Sequence, residues 1–151
     1  MVRVVIQRVK RASVTVDGVV VGAIGRGLLV LVGLGPGDDD KDLEAVCKKL
    51  LMLRLWDDES GGRWKRNVVD LNAELLLVSQ FTLFGRVNKG NKPVFVDSLP
   101  PDVAKPLWDR FLNLVGQQYD KVQTGRFGEM MDVELVNDGP VTIQFDTKKK
   151  D

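Results

Sequence analysis

The chain contains no histidine, one cysteine and one tyrosine among 151 residues. The missing imidazole excludes Ser-His-Asp and Cys-His nucleophile systems, His-rich zinc sites and imidazole proton shuttles, so any catalysis must work by positioning. A single thiol, Cys47, excludes an intrachain disulfide and argues against cysteine-rich zinc chemistry, and its place in an apolar helical pattern makes it a core residue. No metal and no cofactor is expected. Charge of one sign is lacking too: 22 Lys+Arg against 21 Asp+Glu leave a net charge of +1. Such a field is too weak for a long nucleic-acid groove and leaves room only for a small local contact. The longest apolar stretches, such as Leu28-Leu29-Val30-Leu31-Val32-Gly33-Leu34, are too short to cross a bilayer. The first residues also lack the apolar segment of a signal peptide, so the expectation is a soluble, cytoplasmic protein with no membrane partner.

What is there, 44% apolar and 28% charged residues, suits one domain, residues 1–147, burying roughly 70% of its unfolded surface. Residues 148–151 read as a disordered basic tail. Val2, Val4 and Ile6 alternate with Arg3, Val5 and Gln7 as an opening strand. Residues 12–16 and 19–24 flank Asp17-Gly18, a dipeptide suited to the positive φ angles of a tight hairpin. The run from Leu28 to Leu34 predicts a central strand covered on both faces. Leu43, Val46, Cys47, Leu50 and Leu51 mark one face of a helix ending near Leu55, with aspartates at its favoured N-terminus. Glu74-Leu75-Leu76-Leu77-Val78-Ser79 predicts another buried strand, and residues 85–93 a mobile basic loop. A second helix carries Val103, Leu107, Trp108, Phe111 and Val115, with Pro106 delaying or kinking its start. Residues 119–123, 131–136 and 141–145 predict three closing strands. The fold class is therefore α/β: a mostly antiparallel sheet or partial barrel with two main helices packed outside.

Two segments are less generic. Ser79-Gln80-Phe81-Thr82-Leu83 sits at the carboxyl end of a predicted strand, and Asn137-Asp138-Gly139-Pro140-Val141-Thr142 lies near the C-terminus. Taken alone, the first is an ordinary strand end and the second an Asx or proline turn between strands. Together with Ile6-Gln7-Arg8-Val9, Gly27 to Gly33, Lys89-Gly90-Asn91-Lys92-Pro93 and Thr124-Gly125-Arg126-Phe127-Gly128, in order and spacing, they closely resemble the D-aminoacyl-tRNA deacylase family across almost the whole chain.

The resemblance implies a homodimeric, cofactor-free esterase whose partner is tRNA: it cleaves the bond between a D-amino acid and the 3′-terminal adenosine. No other protein partner is implied. Ser79, Gln80, Phe81 and Thr82 carry over as the catalytic segment. Gly139 and Pro140, joined by a cis peptide bond and reaching into the partner subunit's pocket, carry over as the chiral selector, supported by Arg8, Asn137 and Thr142. Phe127, Gly128 and Met131 carry over as the adenosine pocket. Glu129-Met130 departs from the family's usual small residue and carboxylate, which implies a bulkier or differently charged rim. Glycine has no side chain to exclude, so glycyl-tRNA is expected to pass the same filter. Thr82 is either a nucleophile or one of several donors around the ester carbonyl; without histidine the second is favoured, with the ribose 2′-hydroxyl assisting.

Two other readings compete. In the related deacylase of L-alanyl-tRNA(Thr), proline typically stands where this chain has Ser79, and the Gly-Pro element is trans. A non-catalytic nucleic-acid-binding module is suggested by the basic loop and tail, and is weakened by the near-zero net charge. Trp56, Trp64 and Trp108 read as core or loop anchors rather than base-stacking platforms. Arg86, Lys89 and Lys92 read as solvated surface or as contacts to acceptor-stem phosphates.

Overall fold

The computed structural model describes residues 1–148, so most of the predicted tail, residues 149–151, lies outside the described residues. The elements run β1 (Arg3–Val16), β2 (Val19–Ile24), β3 (Gly27–Gly33), α1 (Asp40–Met52), β4 (Glu74–Ser79), a 3₁₀ turn (Phe81–Phe84), α2 (Pro101–Gln118), β5 (Val122–Thr124) and β6 (Asp132–Asp146). β1 and β2 form the predicted hairpin, with Asp17 at φ 49° and Gly18 at φ 77° in its turn. β3 continues along the same side of β1, pairing Val9↔Gly27 through Arg3↔Gly33, while β6 runs antiparallel along the other side. β4 pairs parallel to β3, and β5 parallel to β4. Three antiparallel and two parallel pairings thus make a mixed sheet.

Closure comes from β2 meeting β5. A Cβ on Gly22 would lie 2.3 Å from the Thr124 carbonyl oxygen and 3.3 Å from Leu76 Cδ1, so only a bare glycine lets the two edges come this close and curl the sheet nearly into a barrel. Inside the curl lies one apolar cluster, with Val9, Val14, Val16, Ile24, Leu29, Leu76 and Val78. Outside it, the helices cover a larger one that contains Ile6, Leu28, Val30, Val32, Leu75 and Leu77 together with Leu43, Val46, Leu50, Trp108 and Phe111. β3 and β4 alternate between the two clusters, which is why their sequences are apolar without interruption.

Several boundaries differ from the sequence expectation. The opening strand and first hairpin arm are one strand, β1, because β6 binds its whole length. Likewise the last two predicted strands are one, β6, so Asn137 to Thr142 lies within a strand rather than in a turn between strands. α1 stops at Met52: Leu53 leaves helical geometry, and its amide is the last to bond back, to Lys49. At its start Asp39 and Asp42 form a reciprocal capping box, each carboxylate accepting the other's amide at 3.1 Å. α2 begins at Pro101 and continues through Pro106, whose missing N–H falls early enough to leave later turns intact. Tyr119 caps α2 rather than opening a strand, leaving β5 only three residues. Cys47 is buried as expected, and desolvation pushes its thiol pKa up. Trp56 and Trp108 are core residues, while Trp64 is exposed. Among the described residues no helix is long and apolar enough to cross a membrane.

Gly22→Ala is expected to force β2 and β5 apart and to cost about 1–3 kcal/mol, the usual range for overpacking. At about 2–4 °C per kcal/mol for a chain of this size, thermal unfolding would show it as a clear fall in Tm.

Candidate functional site

β4 delivers the first motif. Its last residue is Ser79; Gln80 then leaves the strand with its amide donating to the Val32 carbonyl at 2.8 Å, and residues 81–84 turn into the 3₁₀ helix. Phe84, buried at the end of that turn, packs where side chains are absent: a Cβ on Gly33 would come within 2.9 Å of its ring, and one on Gly35 within 3.0 Å. Arg3 fastens the turn from β1, donating to the Leu83 carbonyl at 3.0 Å with its guanidinium 5.0 Å from the Phe84 ring centroid.

The turn forms one wall of a cavity of about 770 Å³. Ser79, Gln80, Phe81 and Thr82 line it on one side and Phe127, Gly128, Glu129, Met130 and Met131 on another, with Leu99, Pro100 and Pro101 at the start of α2 contributing a third. The sequence-predicted catalytic and adenosine-pocket residues thus share one concavity. Parallel pairing explains it: β5 lies beside β4 in the same direction, Leu77 opposite Thr124, so the chain leaving β5 turns over the same sheet end as the chain leaving β4. Gly128, at φ +76° with open space around it, makes that turn, and Met131 packs back so closely that a Cβ on Gly125 would lie 2.7 Å from its sulfur.

The lining is mostly apolar, and among the described residues its only ionisable side chain is Glu129, 4.0 Å from Arg126. The Gln80 side-chain amide donates to Thr82 Oγ1. A hydroxyl that accepts from an amide keeps its own proton for an outward acceptor, and its neighbour is not a base. Thr82 is therefore set up to donate. Leu99, Pro100 and Pro101 were not singled out by sequence reasoning, because a proline pair at a helix start carries a structural signal of its own.

The second motif is elsewhere on the chain. Gln7 pairs with Thr142 and Val9 with Asn137, so between these pairs β1 supplies Arg8 alone while β6 supplies Asp138, Gly139, Pro140 and Val141. The extra residues bulge from the ladder. Asn137 closes the bulge at its base: its Oδ1 accepts from the Val141 amide at 2.8 Å, and its Nδ2 donates to the Val141 carbonyl and to Thr142 Oγ1, both at 3.1 Å. Arg8 reaches beneath it, donating to the Asp138 carbonyl at 3.0 Å and the Leu55 carbonyl at 2.5 Å, 3.6 Å from the Asp138 carboxylate. The Gly139-Pro140 bond is cis, Gly139 has φ +143°, and both residues are exposed. None of Arg8, Asn137, Gly139, Pro140 and Thr142 lines the cavity of its own chain.

A family model described as D-Tyr-tRNA(Tyr) deacylase matches residues 5–146. Similar proteins include the D-aminoacyl-tRNA deacylase of Thermosipho africanus (strain TCF52B), 50% identical over 147 residues, covering 97% of this chain and 98% of the relative. That of Dictyostelium discoideum is 46% identical over 151 residues, covering 98% and 99%. Among solved structures, one named c-Myc DNA unwinding element binding protein superposes with a TM-score of 0.92 at 44% identity, covering 97% of this chain and 99% of that one.

Arg8→Ala leaves two main-chain carbonyls without their charged donor and is expected to cost about 1.5–3 kcal/mol. Thr142→Ala, on the exposed face, should cost under about 1 kcal/mol. Urea midpoints at constant m-value would measure both.

Proposed function

The chain belongs to the D-Tyr-tRNA(Tyr) deacylase family, and from that premise we propose that it hydrolyses the ester of D-aminoacyl-tRNA, releasing the free amino acid and tRNA. The observation carrying the proposal is the shared cavity: residues 79–82, with the Ser79 and Thr82 hydroxyls and the Gln80 side-chain amide, line it together with the segment that includes Phe127 and Met131, around a space fit for an aminoacylated nucleoside. In this reading Phe127, Gly128 and Met131 hold the terminal adenosine. The Thr82 hydroxyl, oriented by Gln80, and nearby N–H groups stabilise the charge that develops on the ester oxygen. Water attacks with help from the ribose 2′-hydroxyl beside the scissile bond. No side-chain nucleophile takes part.

Chirality is selected by a second copy of the chain. The bulge presents the Gly139 carbonyl and Pro140 to the cavity of its partner, where the carbonyls receive the substrate ammonium and leave no room for an L side chain. Exclusion of this kind asks little of the D side chain, so many D-residues are accepted and glycine passes as well. What supports it is the way Arg8 and Asn137 fix the bulge from below while its outer face stays open. Ser79, together with the intact Asn137 to Thr142 motif, favours the D-specific enzyme over the L-alanyl-tRNA deacylase.

Purified protein should release amino acid from D-tyrosyl- and glycyl-tRNA and spare L-tyrosyl- and L-alanyl-tRNA in parallel time courses. Preferential turnover of L-alanyl-tRNA would refute the assignment. Thr82→Ala is expected to lower kcat by about 10²–10³, the usual loss for one oxyanion donor. A substrate esterified at the 3′-oxygen of a 2′-deoxy terminal nucleotide should react slowly. Complete inactivity of Thr82→Ala with normal turnover of the 2′-deoxy substrate would instead make Thr82 the nucleophile.

A further inference from the structure

We propose that residues 86–94 form a docking surface for the backbone phosphates of the substrate RNA beyond its terminal nucleotide, with Lys89 and Lys92 making the contacts. This rests on the deacylase reading above and extends it from the reacting end to the body of the substrate.

The sequence suggests a mobile basic loop carrying three equivalent cations; the structure sorts them. Arg86 and Val94 bond reciprocally through their main chains, Arg86 amide to Val94 carbonyl at 2.8 Å and Val94 amide to Arg86 carbonyl at 3.0 Å, so the segment has a closed base. Arg86 is committed to that base, its guanidinium held by both oxygens of Asp97 at 2.5 and 2.8 Å. Lys89 and Lys92 are exposed at the tip, beside Gly90 at φ +72°, and neither enters an ion pair among the described residues. The tip is thus a net positive point on a near-neutral protein.

Its position gives the charge a use. Phe95, directly after the base, meets Phe81 edge to face at 5.2 Å between centroids, and Phe81 belongs to the wall that lines the cavity. The hairpin therefore springs from the rim of the site where the RNA would end. A substrate whose terminal nucleotide enters the cavity must carry its next phosphates out past that rim, and the two lysines of the hairpin that rises from it offer complementary charge. Arg86 is not a phosphate ligand in this scheme; it orients the hairpin. Two contacts also fit an enzyme that must release its product, since each adds only about 0.7–0.9 to the logarithmic salt slope.

The test compares a full substrate with one lacking the RNA body, D-tyrosyl-tRNA against 3′-O-D-tyrosyl-adenosine, using wild type and the Lys89→Ala/Lys92→Ala double variant at 50 to 200 mM salt. With D-tyrosyl-tRNA the double variant is expected to lose roughly tenfold in kcat/KM at low salt, through KM. Its slope of log kcat/KM against log salt should flatten by about 1.4–1.8. With D-tyrosyl-adenosine the two proteins should behave alike. An unchanged salt slope on tRNA overturns the proposal. Equal losses on both substrates also overturn it, placing the effect on the Phe81 wall rather than on phosphates. Wild type inactive on both substrates would remove the deacylase reading itself and this inference with it.

Discussion

The parallel pairing of β3 with β4 is the constraint on which the site depends. Both strands are buried on both faces, so polarity alone does not distinguish their correct register from a slipped one. The ends do. At one end a Cβ on Gly27 would lie 1.9 Å from the Glu74 carbonyl oxygen, so β4 can start only beside a glycine, and the Glu74 amide bonds to the Arg26 carbonyl at 3.0 Å. At the other, the Gln80 amide bonds to the Val32 carbonyl at 2.8 Å. Between these ties each leucine takes its place in the outer or inner cluster. The position of Ser79 follows, and with it the point at which the chain breaks into the turn that carries Thr82.

That turn is short, and a 3₁₀ helix of four residues has little stability of its own. Its rigidity comes from Phe84, sunk against Gly33 and Gly35, and from Arg3, which ties the Leu83 carbonyl to β1. A cation over a largely desolvated ring adds about 0.5–2 kcal/mol, comparable with the hydrogen bond beside it. The two glycines and the arginine hold the wall of the cavity without touching the space within it.

The Asp17-Gly18 turn, the continuous apolar runs and the helical spacings made the hairpin, the two buried strands and both helices legible, since each is a local signal. The joining of strands was not legible. β6 was divided because Asp138, Gly139 and Pro140 have the composition of a turn, and in most settings they would make one; here pairing with β1 resumes on the far side, at Thr142. The mixed strand order was hidden for a related reason: parallel partners such as β4 and β5 are joined through α2, and nothing in either strand's pattern names its neighbour. In the site, side chains that belong to motifs were visible in advance. Leu99, Pro100 and Pro101 were not, because they enter the cavity through how α2 packs. Arg86 carried no mark that it is committed to Asp97 and not free.

The distribution of charge explains how a chain without imidazole can still be built for hydrolysis. Around the cavity the polar side chains are hydroxyls and an amide, and among the described residues the one carboxylate, Glu129, stands beside Arg126. A site of that kind stabilises developing charge through fixed hydrogen-bond donors and not through a titrating side chain. The bulge on β6 follows the same logic. Arg8 and Asn137 hold it through main-chain atoms and the Thr142 hydroxyl, which leaves the outer surface of Gly139-Pro140 exposed. Main-chain shape does not titrate and is blind to side-chain identity. A surface of that kind distinguishes ligands by where their atoms can fit and not by their charge.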